Sequence, residues 1–169
     1  MVLGLFKIIK MDFVKKSKFK HDFAPDYELG GEQLRKFVFA GNSVFTILNQ
    51  ATKNRFTIKV KKHKENEVWF VSVLTGSDNI NSYTFIGTYF PTTYSKGGEF
   101  KKSFKSKITN DAVSSKTVSW FFKKFFNNQS KYPTVKVYHE GRCGRCSRRL
   151  TTPESIKASF GPECIKLMN

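Results

Sequence analysis

Acidic side chains are scarce in this sequence. Its 13 Asp and Glu face 30 Lys and Arg, a formal net charge of +17 with a pI near 9.9. That excess calls for a polyanionic partner, nucleic acid or an anionic membrane surface, and says nothing about fold. Long apolar runs are also lacking. No stretch approaches the ~20 residues of a membrane-spanning helix. The apolar start, Met1 to Ile9, is broken by Lys7 and no small-residue cleavage site follows, so no signal peptide is expected. Cysteine is rare: three residues, an odd number that makes a poor disulfide set and a good metal set. Aromatic residues are not rare. The 18 Phe and a hydrophobic fraction of 39% exclude a wholly disordered chain. The 169 residues suffice for one domain, or one domain with a small appendage.

The positive charge lies in clusters: Lys15, Lys16, Lys18 and Lys20; Lys59, Lys61, Lys62 and Lys64; Lys101, Lys102, Lys105 and Lys107; and Arg142, Arg145, Arg148 and Arg149. The last is all arginine, in a chain with only Arg35 and Arg55 besides. Arginine forks suit phosphates and base edges better than lysine point charges do. Each cluster also reads as an ordinary solvated surface.

Residues 1–24 lack clean periodicity and read as a basic arm or an edge strand. A turn is expected over Pro25 to Gly31, then a short helix over Glu32 to Ala40, with Leu34, Phe37 and Val38 on one face. Strands are expected at Val44 to Leu48, Arg55 to Lys61, Val68 to Leu74 and Tyr83 to Phe90. In the second, Phe56, Ile58 and Val60 alternate with Thr57, Lys59 and Lys61. Residues 92–110 read as a long basic loop. Ser114 or Ser115 is the expected N-cap of a helix running to Phe126, whose Val118, Phe121, Phe122, Phe125 and Phe126 form a core stripe. A last strand is expected at Val135 to Tyr138. The fold class is α+β: an antiparallel β-meander packed by a Phe-rich helix, with residues 25–130 as the core domain and residues 131–169 as a small metal module.

The segment that carries chemistry is His139-Glu140-Gly141-Arg142-Cys143-Gly144-Arg145-Cys146, closed by Cys164. Two Cys three positions apart form a knuckle that presents both sulfurs to one tetrahedral ion. Gly144 supplies a residue free to take positive φ inside that turn. A helix starting near Pro162 favours Cys164 as thiolate. His139 is the best fourth ligand, with His21, His63 and water as rivals, and Glu140 and Glu163 less apt beside soft sulfur. Such a Cys3His site is closed and structural, which implies zinc. A redox Cys-x-x-Cys and inert free cysteines are the competing readings. Between knuckle and Cys164, Thr152 is the expected N-cap, Pro153 the first residue and Gly161 the terminator of one short helix.

The run HEGRCGRCSRRLTTPESIKASFGPEC, His139 to Cys164, resembles a small zinc-ribbon-like domain of unknown function found in bacteriophage and mobile-element proteins. RFTIKVKK, VWFVSVLTGSDNINSYTFIGTYF and SWFFKKFF are similar, more loosely, to a recurring phage accessory protein. The resemblance implies structural zinc on His139, Cys143, Cys146 and Cys164, and a bacterial host cytoplasm as location. Ser147 stands where that pattern leads one to expect Gly.

The function expected from these features is a zinc-containing, basic nucleic-acid-binding accessory protein. Arg142, Arg145, Arg148 and Arg149, with Lys59, Lys61, Lys101, Lys102 and Lys105, are its expected contacts. Trp69, Tyr83, Tyr89 and Tyr94 are candidates for base stacking. The alternative is a protein-interaction module that binds or inhibits a host complex. No catalytic motif is present, and no enzyme is expected.

Overall fold

The computed structural model describes residues 24–91 and 97–168. The expected N-terminal arm with Lys15, Lys16, Lys18, Lys20 and His21, and Tyr94 in the basic loop, lie outside the described residues.

Among the described residues, seven antiparallel strands form one sheet: β1 (Glu28–Leu29), β2 (Asn42–Asn49), β3 (Arg55–Lys62), β4 (Trp69–Leu74), β5 (Tyr83–Phe90), β6 (Glu99–Lys102) and β7 (Val135–His139). Their order is β1-β7-β2-β3-β4-β5-β6. Strands β2 to β6 are a meander, each paired with the next. The chain then crosses one face of the sheet through a helix and returns as β7, which pairs with β2 on the side away from β3. The short β1, inside the stretch expected to be a turn, extends the sheet beyond β7.

One face of the sheet is packed. From it Phe45, Ile47, Ile58, Val60, Trp69, Val71, Val73 and Val137 enter a single core. Onto them come α1 (Gly31–Val38), through Leu34, Phe37 and Val38, and α2 (Val113–Trp120). Helix α2 continues into a π-helical turn, Phe121–Phe125, closed by the Phe126 N–H donating to the Phe121 carbonyl at 2.9 Å. The widened turn lets Phe121, Phe122, Phe125 and Phe126 all bury, while Lys123 and Lys124 face solvent. The Phe stripe is therefore core. The N-cap of α2 is Ala112, ahead of both expected serines; Ser115 is buried inside the first turn.

The alternation in β3 falls as its sequence dictates, with Ile58 and Val60 buried and Lys59 and Lys61 on the opposite face. In β5 the register shifts opposite Val71 and Ser72, and Ile86 is the additional residue, fully buried. A Cβ on Gly87 would stand 2.4 Å from the Lys101 carbonyl oxygen, so only glycine lets β6 approach there. Strand β6 itself lies within the stretch expected to be a loop. Its alternation is short, and Lys101 and Lys102 mask it. Two expected stacking residues, Trp69 and Tyr89, belong to the core: they are 8% and 6% exposed and pack around Phe39.

Two short helices close the chain, α3 (Pro153–Ala158) and α4 (Pro162–Lys166). Thr152 caps α3 as expected, its hydroxyl accepting from the Ser155 N–H at 3.3 Å. The terminator of α3 is Ser159, in the left-handed region at φ 61°, and Gly161 is instead the N-cap of α4. The segment after residue 131 is not detached from the core. Strand β7 lies inside the sheet, and Cys143, Leu150, Phe160 and Cys164 join the same buried cluster as the strands.

Candidate metal centre

Three elements bring the cysteines together. Strand β7 ends at His139, and the chain turns through Gly141, at φ 71°, into the knuckle. The knuckle is a tight loop: the Ser147 N–H donates to the Cys143 carbonyl at 2.8 Å and the Cys143 N–H to the Arg148 carbonyl at 2.8 Å. Helix α4 then delivers Cys164 from the other side. The Sγ atoms of Cys143, Cys146 and Cys164 lie within 4.8 Å of one another. Cys143 and Cys164 are buried and Cys146 is exposed.

The turn residues have different roles from those read in the sequence. Gly144 is not in the left-handed region. It is needed for space, since a Cβ would stand 2.7 Å from Phe37 Cδ2 and 2.9 Å from Phe160 Cε1. The left-handed residue is Ser147, at φ 63°. This is the position where glycine is expected, and the backbone explains the expectation: an L side chain there carries strain.

Burial acts to raise the Cys143 thiol, but main-chain hydrogen bonds from Gly161, Cys146 and Arg145 outweigh it and hold the group below its ordinary value. Cys164 moves the other way, to about 11, through burial and then its contacts with Cys146 and Cys143. Of these two thiols, Cys143 is the readier thiolate and Cys164 holds its proton longer. Three soft sulfur donors so placed suit a thiophilic ion of the zinc type.

His139 has other partners. Its Nε2–H donates to the Ile156 carbonyl at 2.9 Å, and its Nδ1 accepts from the Gly141 N–H at 3.1 Å. The ring stacks on Tyr27 and tilts against Phe37. It is 1% exposed, and burial lowers its pKa against the opposing hydrogen bonds to Ile156 and Asp26. His139 is not a member of the three-cysteine group. His63 Nδ1 accepts from the N–H groups of Glu65 and Asn66 in the β3–β4 turn, and its ring meets Phe70.

The expected basic contacts divide between two places. Arg145, Arg148 and Arg149 are exposed on the knuckle. Arg142 is half-buried, and its Nη1 donates to the Ser147 carbonyl at 3.2 Å, bracing the loop. Lys59 and Lys61 project from the face of the sheet opposite the helices, and Lys101 from the same face of β6. Lys102 is half-buried on the other side of β6, and Lys105 lies beyond it in the loop. The two places adjoin. The Asn42 N–H donates to the Gly144 carbonyl at 2.9 Å, and Asn42 is the cross-strand partner of Lys61. Glu140 joins them a second time: Thr46 donates to its Oε1 and Asn79 to its Oε2, while Tyr83 donates to Asn79. Burial drives the Tyr83 phenol well above its usual range. Glu140 adds to that shift, and Arg142 opposes it.

The fold and site define an α+β protein with a cluster of three cysteines, able to hold a metal ion, beyond the end of β7 in a seven-stranded antiparallel sheet. Residues 135–169 match the model of a family of unknown function (DUF6011), a segment that runs from the start of β7 to the end of the chain. No curated protein and no solved structure matches the chain. No helix among the described residues is long and apolar enough to cross a membrane.

Proposed function

We propose that this protein is a zinc-stabilised nucleic-acid-binding protein without catalytic activity of its own. The observation that carries the reading is the knuckle: three convergent cysteine sulfurs in a loop from which Arg145, Arg148 and Arg149 project into solvent. Cys143, Cys146 and Cys164 hold the ion, which cross-links the knuckle to α4. Two ligand residues sit in the core, so the ion also fixes how this segment packs on α1. The arginines contact phosphates, and the lysines of β3 and β6 extend that contact. The sequence resemblance adds an accessory role in a phage or mobile element, exercised in the host cytoplasm.

The test is direct. Purified protein is assayed for bound metal by elemental analysis, and labelled oligonucleotides are titrated against it at several salt concentrations. The expected result is one zinc per chain and binding that weakens steeply with salt, with a log–log slope reduced by about one for each phosphate-contacting arginine removed. Absence of binding at low salt overturns the nucleic-acid reading. A protein partner retained from nuclease-treated lysate, with no oligonucleotide binding, replaces it by the interaction-module reading.

A further inference from the structure

The geometry points to the open part of the face opposite the helices, over β3 to β6, as a platform for single-stranded nucleic acid, with Phe70 and Phe90 as the stacking residues and Lys59, Lys61 and Lys101 as the phosphate contacts. This rests on the nucleic-acid reading above and names its substrate class and its surface.

The helices pack on one face of the sheet. On the other, the part over β2 and β7 is covered, with Val44, Thr46 and Tyr138 buried and Glu140 held by Thr46 and Asn79, and the open part lies over β3 to β6. There the cross-strand register sets a row: Lys61 opposite Phe70, Phe70 opposite Thr88, Thr88 opposite Lys101. A second row runs Lys59, Ser72, Phe85. Phe70 and Phe90 are 39% and 38% exposed, although residues of this kind in strands are commonly buried. Four aromatic rings of this face, Phe70, Phe85, Phe90 and Tyr83, have neighbours that orient them. Phe85 meets Phe70 edge-on at 5.9 Å and His63 meets it at 5.2 Å. Lys101 Nζ lies 5.6 Å from the Phe90 ring and Lys59 Nζ 5.4 Å from the Tyr83 ring. Of the acids nearby, Glu99 pairs with Lys101 at 3.6 Å, Glu67 pairs with Lys62 at 2.8 Å, and Glu140 is held by Thr46 and Asn79.

Charge complementarity selects a polyanion, and geometry selects a single strand. Phe90 lies two residues along β5 from Thr88, so it is the diagonal neighbour of Phe70, about 7–8 Å away at the backbone. Stacked bases in a duplex are about 3.4 Å apart along each strand and hide their faces. Rings 7–8 Å apart instead accept bases of an extended, unstacked strand, one on each, as sheet-surface and groove binders of single strands do. A face several strands wide does not enter a duplex major groove, which admits a helix or a two-stranded ribbon. The adjoining knuckle arginines lie where such a strand leaves the platform beside Lys61.

The experiment uses the full chain and a labelled oligothymidylate, with a duplex of equal length as competitor, across a salt series. The single strand is expected to bind about tenfold or more tightly than the duplex. Phe70→Ala with Phe90→Ala is expected to weaken single-strand binding about tenfold or more without changing the salt slope. Lys59→Ala and Lys61→Ala are each expected to lower the slope by about one. Phe70→Tyr is expected to retain binding, and circular dichroism and thermal melting confirm that the double Phe variant is folded. Oligonucleotide binding that the folded double Phe variant leaves unchanged, or a duplex bound as tightly as the single strand, overturns this inference while the broader reading stands. No binding of either at low salt overturns both.

Discussion

His139 on the last strand donates its Nε2–H to the Ile156 carbonyl of α3 at 2.9 Å. A central strand is thereby tied to the helix that stands between the knuckle and Cys164. The ring is buried between Tyr27 and Phe37, so the tie is dry. This contact fixes the knuckle and α4 relative to the sheet.

Removing it takes away one of the two donors to the Ile156 carbonyl, which also accepts from the Ser159 N–H at 3.0 Å, and opens a cavity beside Phe37. His139→Ala is expected to destabilise the fold by about 2–4 kcal/mol, measured by urea denaturation. His139→Gln, which keeps an N–H donor, is expected to retain bound metal at full stoichiometry, whereas Cys143→Ser is expected to lose it. Loss of metal from His139→Gln alone would return His139 to the ligand set.

The same residue sets a pH dependence. Burial lowers its folded pKa, so the unfolded chain takes up a proton that the folded chain resists. Its contribution is complete above the unfolded value, about 6.5, and is lost as pH falls below it. Urea midpoints of the wild type are expected to drop on acidification below about pH 6.5, and those of His139→Gln to drop less over the same range.

Ser147 holds φ 63°. Glycine adopts that conformation without strain, so Ser147→Gly is expected to stabilise the protein by about 0.5–1 kcal/mol, read as a higher urea midpoint with an unchanged slope.

Gly144 has no room for a methyl group beside Phe37 and Phe160. Gly144→Ala is expected to cost about 1–3 kcal/mol by overpacking. Because the strain falls inside the knuckle, metal affinity is expected to fall with it, which competition with a chromogenic chelator measures.

Chelation of the ion removes the cross-link between the knuckle and α4. A thermal melt with excess chelator is expected to shift down by about 5 °C or more, and added zinc to restore it.

The sequence determined much of this locally. Alternation in Arg55 to Lys61 placed Ile58 and Val60 in the core because side chains of a strand alternate between its faces. The Phe121 to Phe126 stripe marked a packed helix, Thr152 its short helix, and the Cys spacing a convergent set of thiols. Only the tertiary structure decided what depends on contacts remote in sequence. Crossing α2 carries β7 back beside β2, which binds the cysteine segment into the sheet rather than leaving it an appendage. Trp69 and Tyr89 look like stacking residues in a strand, but the faces of β4 and β5 are assigned by what packs beneath them, and α2 claims that face. Phe70 and Phe90 are thereby left on the face with the lysines. His139 has ligand spacing in the sequence. In the fold both its ring nitrogens are taken by main-chain groups, one of them on a helix seventeen residues away in sequence.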